Sequence, residues 1–149
     1  MTAIEDLYQE VILHHSKSPR NFGVLENANR SADGHNPLCG DKLRLTLIVE
    51  DGRVKDLRFS GEGCAISTAS SSVMTDLLKG KSEEDARRML HAFHALVTGE
   101  SPDADAPELG KLEVFSGVSR FPVRVKCAML PWRTLESALG NRPETVTTE

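Results

Sequence analysis

A chain of 149 residues with three cysteines and a formal net charge of −4 is long enough to bury one core without disulfides. The odd thiol count, spread over Cys39, Cys64 and Cys127, excludes a simple disulfide framework, and the acidic balance without any Lys/Arg run among aromatics argues against nucleic acid. No apolar run approaches the roughly 18 residues of a membrane helix, and "MTAIEDLYQE" has neither a basic leader nor an apolar signal core, so a single cytoplasmic domain without membrane association is expected.

Along the chain, Ile4, Leu7, Tyr8, Val11 and Ile12 keep helical spacing over residues 4–15, and the pattern stops before Pro19. A loop follows, with a short strand near Ala28 to Asp33. Leu43, Leu45, Leu47 and Val49 then alternate with polar residues, Asp51-Gly52 offers a type I′ turn, and Leu57 and Phe59 alternate again. That pattern predicts a β-hairpin with one buried face.

"SGEGC" turns the chain into a second helix, where Ile66, Ala69, Val73 and Leu77 keep helical spacing up to Gly80. Ser82 with Asp85 three residues on resembles a capping box for a third helix carrying Ala86, Met89, Leu90, Phe93 and Val97 on one face. The loop over residues 98–110 is polar and contains prolines, and a short helix over "KLEVFSGVS" is expected to end at Gly117. Pro122 suits the first position of the last helix, whose stripe is Val125, Ala128, Met129, Trp132, Leu135 and Leu139. Pro131 inside that stripe predicts a kink or break just after Cys127. Residues 1–140 thus read as one α+β domain, and residues 141–149 as a disordered tail with too little apolar content to pack.

The cysteines fall at three kinds of position. Cys39 lies in a loop beside Gly40, which lets the chain bend so that Cys39 and Asp41 face one centre. Cys64 opens a helix, where free backbone N–H groups and the helix dipole favour a thiolate. Cys127 follows Arg124 by one turn and Lys126 directly, a positive field that also favours ionisation. Three thiolates and a carboxylate suit tetrahedral Zn²⁺, and thiolates equally suit iron–sulfur chemistry. Without a C-x-x-C pair, spacing alone also admits cysteines that are merely small and buried.

"LYQEVILHHSKSPRNFG", "NPLCGD", "GEGCAIS" and "GVSRFPVRVKCAMLPW", in that order from about Leu7 to Leu139, resemble the U-type iron–sulfur cluster assembly proteins, and most of all their SufU-like branch. The resemblance implies an α+β fold in which a small antiparallel sheet of about three strands packs against several helices, with metal ligands at Cys39, Asp41, Cys64 and Cys127. In SufU-like proteins the site holds zinc, and the protein accepts persulfide sulfur from a PLP-dependent, SufS-type cysteine desulfurase, whose histidine fills the place that the sulfur-accepting cysteine leaves. The related IscU-like branch builds a transient [2Fe–2S] cluster on similar residues. That branch has His immediately before the last cysteine, where this chain has Lys126, a poor ligand while protonated. The segment "VTGESPDADAPELG" also resembles the SufU-like insertion, and Arg120-Phe121-Pro122-Val123-Arg124 replaces the IscU-like Leu-Pro-Pro-Val-Lys that binds an Hsp70-type chaperone.

The expected function is therefore sulfur transfer in iron–sulfur cluster assembly, with Cys39 as the catalytic nucleophile because its loop can move, and downstream Suf scaffold proteins as recipients. A [2Fe–2S] scaffold and a structural zinc-binding module are the alternatives. His91 and His94 lack a third ligand and read as polar side chains on the solvent side of a helix. His14 and His15 suit a helix C-terminus, and His35, close to Cys39, is the histidine retained as a donor behind the ligands. Gly61-Glu62-Gly63 lacks the third glycine of a dinucleotide loop, and Asp103, Asp105 and Glu108 lack calcium-loop spacing.

Overall fold

The computed structural model describes residues 3–101, 103–142 and 144–148, with side chains from residue 9 onward. Ile4, Leu7 and Tyr8 of the first stripe therefore lie outside the described side chains. The first helix, α1 (Ala3–Lys17), ends with His14, His15 and Lys17 in its last turn. Strands β1 (Arg30–Asn36), β2 (Asp41–Glu50) and β3 (Arg53–Glu62) form an antiparallel meander. At the β2–β3 turn both Asp51 and Gly52 have positive φ, 53° and 72°, as a type I′ turn requires.

Two helices cover the inner face of the sheet. α2 (Ala65–Leu78) packs on β3, while α4 (Pro122–Leu139) packs on β1 and β2 and against α2. α3 (Glu83–Thr98) begins at Ser82, whose hydroxyl accepts the Asp85 N–H at 3.0 Å, and ends at Gly99 in the left-handed region, φ 77°. A 3₁₀ segment, Gly110–Arg120, lies against α3 and α4 and runs past Gly117, where a helix end was expected. Phe93 stacks on Trp132 at 5.0 Å and meets Phe115 edge-on at 5.7 Å, which ties α3, α4 and this segment into one core.

Two features depart from the local signals. Helix α4 continues unbroken through Pro131, so of the kink or break expected after Cys127 the break does not occur. Leu130, Trp132 and Leu135 are fully buried, and the packing of this stripe outweighs the donor that the proline lacks. The tail, short of apolar residues, nevertheless contributes β4 (Val146–Thr147), which pairs parallel with β1 at Gly34 and His35 and extends the sheet to the order β3-β2-β1-β4.

The serines of α2 are spent on packing. Ser70 Oγ donates to the Ala128 carbonyl at 2.7 Å and accepts the Trp132 indole N–H at 3.2 Å. Ser72 Oγ accepts the Arg20 N–H at 2.8 Å and lies 2.8 Å from His15 Nδ1, so of the capping or packing role expected for His15 the structure shows packing, α1 docked on α2. Among the described residues, no helix is long and apolar enough to cross a membrane.

Candidate metal centre

The β1–β2 hairpin closes on two buried polar residues. Asn36 and Asp41 pair across the ladder, both fully buried, and residues 37–40 form the loop between them. Asn36 Oδ1 accepts the Leu38 N–H at 3.1 Å, and the Cys39 N–H bonds the Asn36 carbonyl at 3.3 Å. These bonds fold the loop as an Asx turn. Gly40 takes φ 71°, the left-handed turn that returns the chain to β2, and a Cβ there would meet nothing within 4 Å. Cys39 thus sits half-buried on this loop.

At the same end of the sheet, β3 leads through Gly63 into Cys64, the N-cap of α2. The Cys64 sulfur accepts the Ser67 N–H at 3.4 Å, and its backbone N–H donates to Asp41 Oδ1 at 2.7 Å. Its Sγ lies 3.7 Å from Asp41 Oδ2. A Cβ on Gly63 would stand 3.1 Å from Asp41 Oδ1 and 3.2 Å from Ser67 Oγ, so the absence of a side chain there makes room for the carboxylate.

Cys127, buried in the second turn of α4, completes the group with its Sγ 2.9 Å from that of Cys39. Ligand atoms of Cys39, Asp41 and Cys127 all lie within 4.8 Å of one another, and Cys64 borders them through Asp41. The structure therefore brings Cys39, Asp41 and Cys127 together, from a hairpin loop, a strand start and a helix interior, with Cys64 at a helix N-cap on the far side of the Asp41 carboxylate. Thiol sulfurs and a carboxylate oxygen are donor types suited to a tetrahedral thiolate-rich centre.

Close contact shifts two of the thiols in opposite directions. A hydrogen bond from Cys127 lowers the Cys64 thiol to about 7, against desolvation and with help from the Ser67 N–H. The same bond to Cys64, together with burial and the contact with Cys39, pushes the Cys127 thiol up. The expected ionising field at Cys127 is therefore not the controlling effect. Arg124 is exposed and its guanidinium lies 4.4 Å over the Phe121 ring, while Cys127 is packed among other thiols.

Strand alternation corrects the choice of outer donor. His35 and Asn36 are neighbours in β1 and point to opposite faces, so the side chain next to the thiols is Asn36, whose Nδ2 lies 3.8 Å from Cys127 Sγ. The Asn36-Pro37 dipeptide that opens the loop is the sequence signal for it. His91 is exposed and His94 half-buried on α3, and among the described residues the Cys39–Asp41–Cys127 group is the sole cluster of three potential ligands.

Comparison with known proteins follows the same residues. The NifU-like N terminal domain family matches residues 7–143. The zinc-dependent sulfurtransferase SufU of Bacillus subtilis is 46% identical over 137 residues, covering 92% of each chain. The iron–sulfur cluster assembly scaffold protein IscU of Streptococcus pyogenes is 40% identical, over 93% of this chain and 86% of that one. The crystal structure of a putative iron–sulfur cluster assembly scaffold protein for the SUF system from Fervidobacterium islandicum superimposes with a TM-score of 0.83 at 37% identity, covering 91% of this chain and 98% of that chain. With the fold, the four motifs and these relatives in agreement, the chain belongs to the NifU-like N terminal domain family, within the SufU-like branch of the U-type iron–sulfur cluster assembly proteins.

Proposed function

We propose that this protein is a cytosolic, zinc-dependent sulfurtransferase of iron–sulfur cluster assembly. It takes sulfane sulfur from a PLP-dependent, SufS-type cysteine desulfurase onto Cys39 and delivers it to downstream Suf scaffold proteins. The observation that carries the reading is the asymmetry of the four donors. Cys39 rides on a loop hinged at Gly40, whereas Asp41, Cys64 and Cys127 are fixed by a strand, a helix cap and a helix interior. Similarity to a protein named a zinc-dependent sulfurtransferase supports it.

Zinc held by Cys39, Asp41, Cys64 and Cys127 would keep the thiols as thiolates and add folding energy. The chain's own residues do the rest. The Cys39 thiolate attacks the terminal sulfur of the donor persulfide, forming a new S–S bond while the donor's S–S bond breaks and its electron pair leaves on the desulfurase thiolate. Leu38, 64% exposed beside Cys39, and Phe121 and Val123 at the start of α4, 47% and 51% exposed, offer the donor protein an apolar landing surface.

The relatives named IscU favour a second reading, a scaffold carrying a transient [2Fe–2S] cluster on the same residues. Lys126, where the IscU-like pattern supplies a nitrogen ligand, weighs against it. The test is single-turnover persulfide transfer followed on each cysteine by mass spectrometry. Label arriving on Cys39, with Cys39→Ser docking but inactive, is expected. Label arriving first on Cys127, with Cys39→Ser still active, favours the scaffold.

A further inference from the structure

The geometry points to a second role for Cys127: it is the nucleophile that resolves a persulfide on Cys39, releasing sulfide and leaving a Cys39–Cys127 disulfide when the centre is free of metal. The inference rests on the proposed function, since the Cys39 persulfide is the product of that reaction.

The two sulfurs are 2.9 Å apart, within about 1 Å of disulfide bonding distance. Helix α4 fixes Cys127, while Cys39 stands on a hairpin loop beside the left-handed Gly40. Cys64 is the poorer partner for Cys39. Its sulfur is held by the Ser67 N–H at 3.4 Å as the cap of α2. Cys127 Sγ already lies against Cys39 Sγ, with the Asn36 amide 3.8 Å away on its other side.

The step balances without an external oxidant. Cys127 Sγ bonds to Cys39 Sγ, the Cys39 S–S bond breaks, and its electron pair leaves on the terminal sulfur. That sulfur takes the Cys127 proton together with its own and departs as hydrogen sulfide. The sulfane sulfur is reduced, and the two cysteine sulfurs are oxidised to the disulfide. A metal that holds Cys127 withholds this nucleophile, so occupancy preserves sulfur for transfer and metal loss discharges it. A dithiol would restore the thiols.

The full-length chain, metal-loaded in the wild type and metal-free in Cys127→Ser, would be persulfidated in two arms, one with a cysteine desulfurase and cysteine, the other with inorganic polysulfide. After removal of excess donor, a chelator would be added anaerobically without reductant. Released sulfide would be measured, and the disulfide located by non-reducing peptide mapping. The expected result is at least about a tenfold rise in sulfide release on chelation, a Cys39–Cys127 cross-linked peptide in the wild-type chain, and a persulfide that persists in Cys127→Ser. Unchanged release in Cys127→Ser, a wild-type cross-link from Cys39 to Cys64, or no release on chelation would overturn the role of Cys127, whether or not the variant folds well. Loading by polysulfide but not by the desulfurase would sink the transfer reading alone and leave the resolution step readable. A Cys39 that loads in neither arm would sink both.

Discussion

Asp41 Oδ1 accepts the backbone N–H of Cys64 at 2.7 Å, so the first residue of β2 closes the turn that carries the chain from β3 into α2. A single carboxylate therefore serves the hairpin, the helix entry and the candidate metal centre. Asp41→Ala leaves the Cys64 N–H without its acceptor and should cost about 1–3 kcal/mol in urea unfolding. Asp41→Asn keeps an acceptor oxygen and should cost less than Asp41→Ala. In both variants a metal should remain on the three thiolates while sulfur turnover slows. Wild-type stability and turnover in Asp41→Ala would show that the residue does neither job.

Metal analysis of the purified protein should find about one zinc per chain, as a closed thiolate-rich tetrahedral site binds a single ion. Cys64→Ser and Cys127→Ser should lose it, and their melting temperatures should stop responding to chelator, because binding and folding are linked. Asn36→Ala removes the amide beside Cys127 and should weaken metal affinity by about tenfold or more. Full occupancy in both cysteine variants would reject those ligands.

Gly34 tests how closely β1 approaches α4. A Cβ at this position would overlap Thr134 Oγ1 and stand 3.1 Å from Leu130 Cδ1. Gly34→Ala should destabilise by about 1–3 kcal/mol through overpacking. Because Thr134 is the main obstacle, Gly34→Ala combined with Thr134→Ala should recover much of the loss, a coupling of at least about 0.5 kcal/mol in a double-mutant cycle. Strict additivity would show that the strain lies elsewhere.

His15 makes stability depend on pH. Burial holds it below the ordinary imidazole value, the charges of Lys111 and Arg20 and neighbouring His14 push the same way, and Asp76 opposes them. The unfolded chain therefore takes up the proton more readily, so stability rises with pH up to about 6.5 and is lost as pH falls below it. The melting temperature should drop on acidification from pH 6.5, and His15→Gln should flatten that slope. Equal slopes in the two proteins would assign the dependence to other groups.

Local signals made most of the fold legible. The Asp51-Gly52 turn, the Ser82 cap and the Leu43–Val49 alternation each act within a few residues, and each element stands where those residues put it. The misses are nonlocal. Pro131 signals a break, but the burial of Leu130, Trp132 and Leu135 that holds α4 together depends on elements distant in sequence. Lys126 and Arg124 signal a thiolate at Cys127, but Cys64 and Cys39, far away along the chain, control its proton. At the site, the four donors were legible as residue types in ordered motifs. Asn36 was not, because choosing between it and His35 requires knowing which face of β1 turns inward.

The Asn36–Asp41 pair ties the identity of the fold to that of the centre. In a ladder with a two-residue side-chain period, sliding β1 or β2 by one position would turn Asn36 or Asp41 toward solvent and bring a neighbour inward. On β1 the neighbour is His35, and on β2 it is Lys42, a cation that would oppose any metal held by the thiolates. A misregistered hairpin is thus both uncovered in its core and unable to ligate. Metal uptake at the proposed centre would then separate correctly zipped molecules from those trapped one residue out of step.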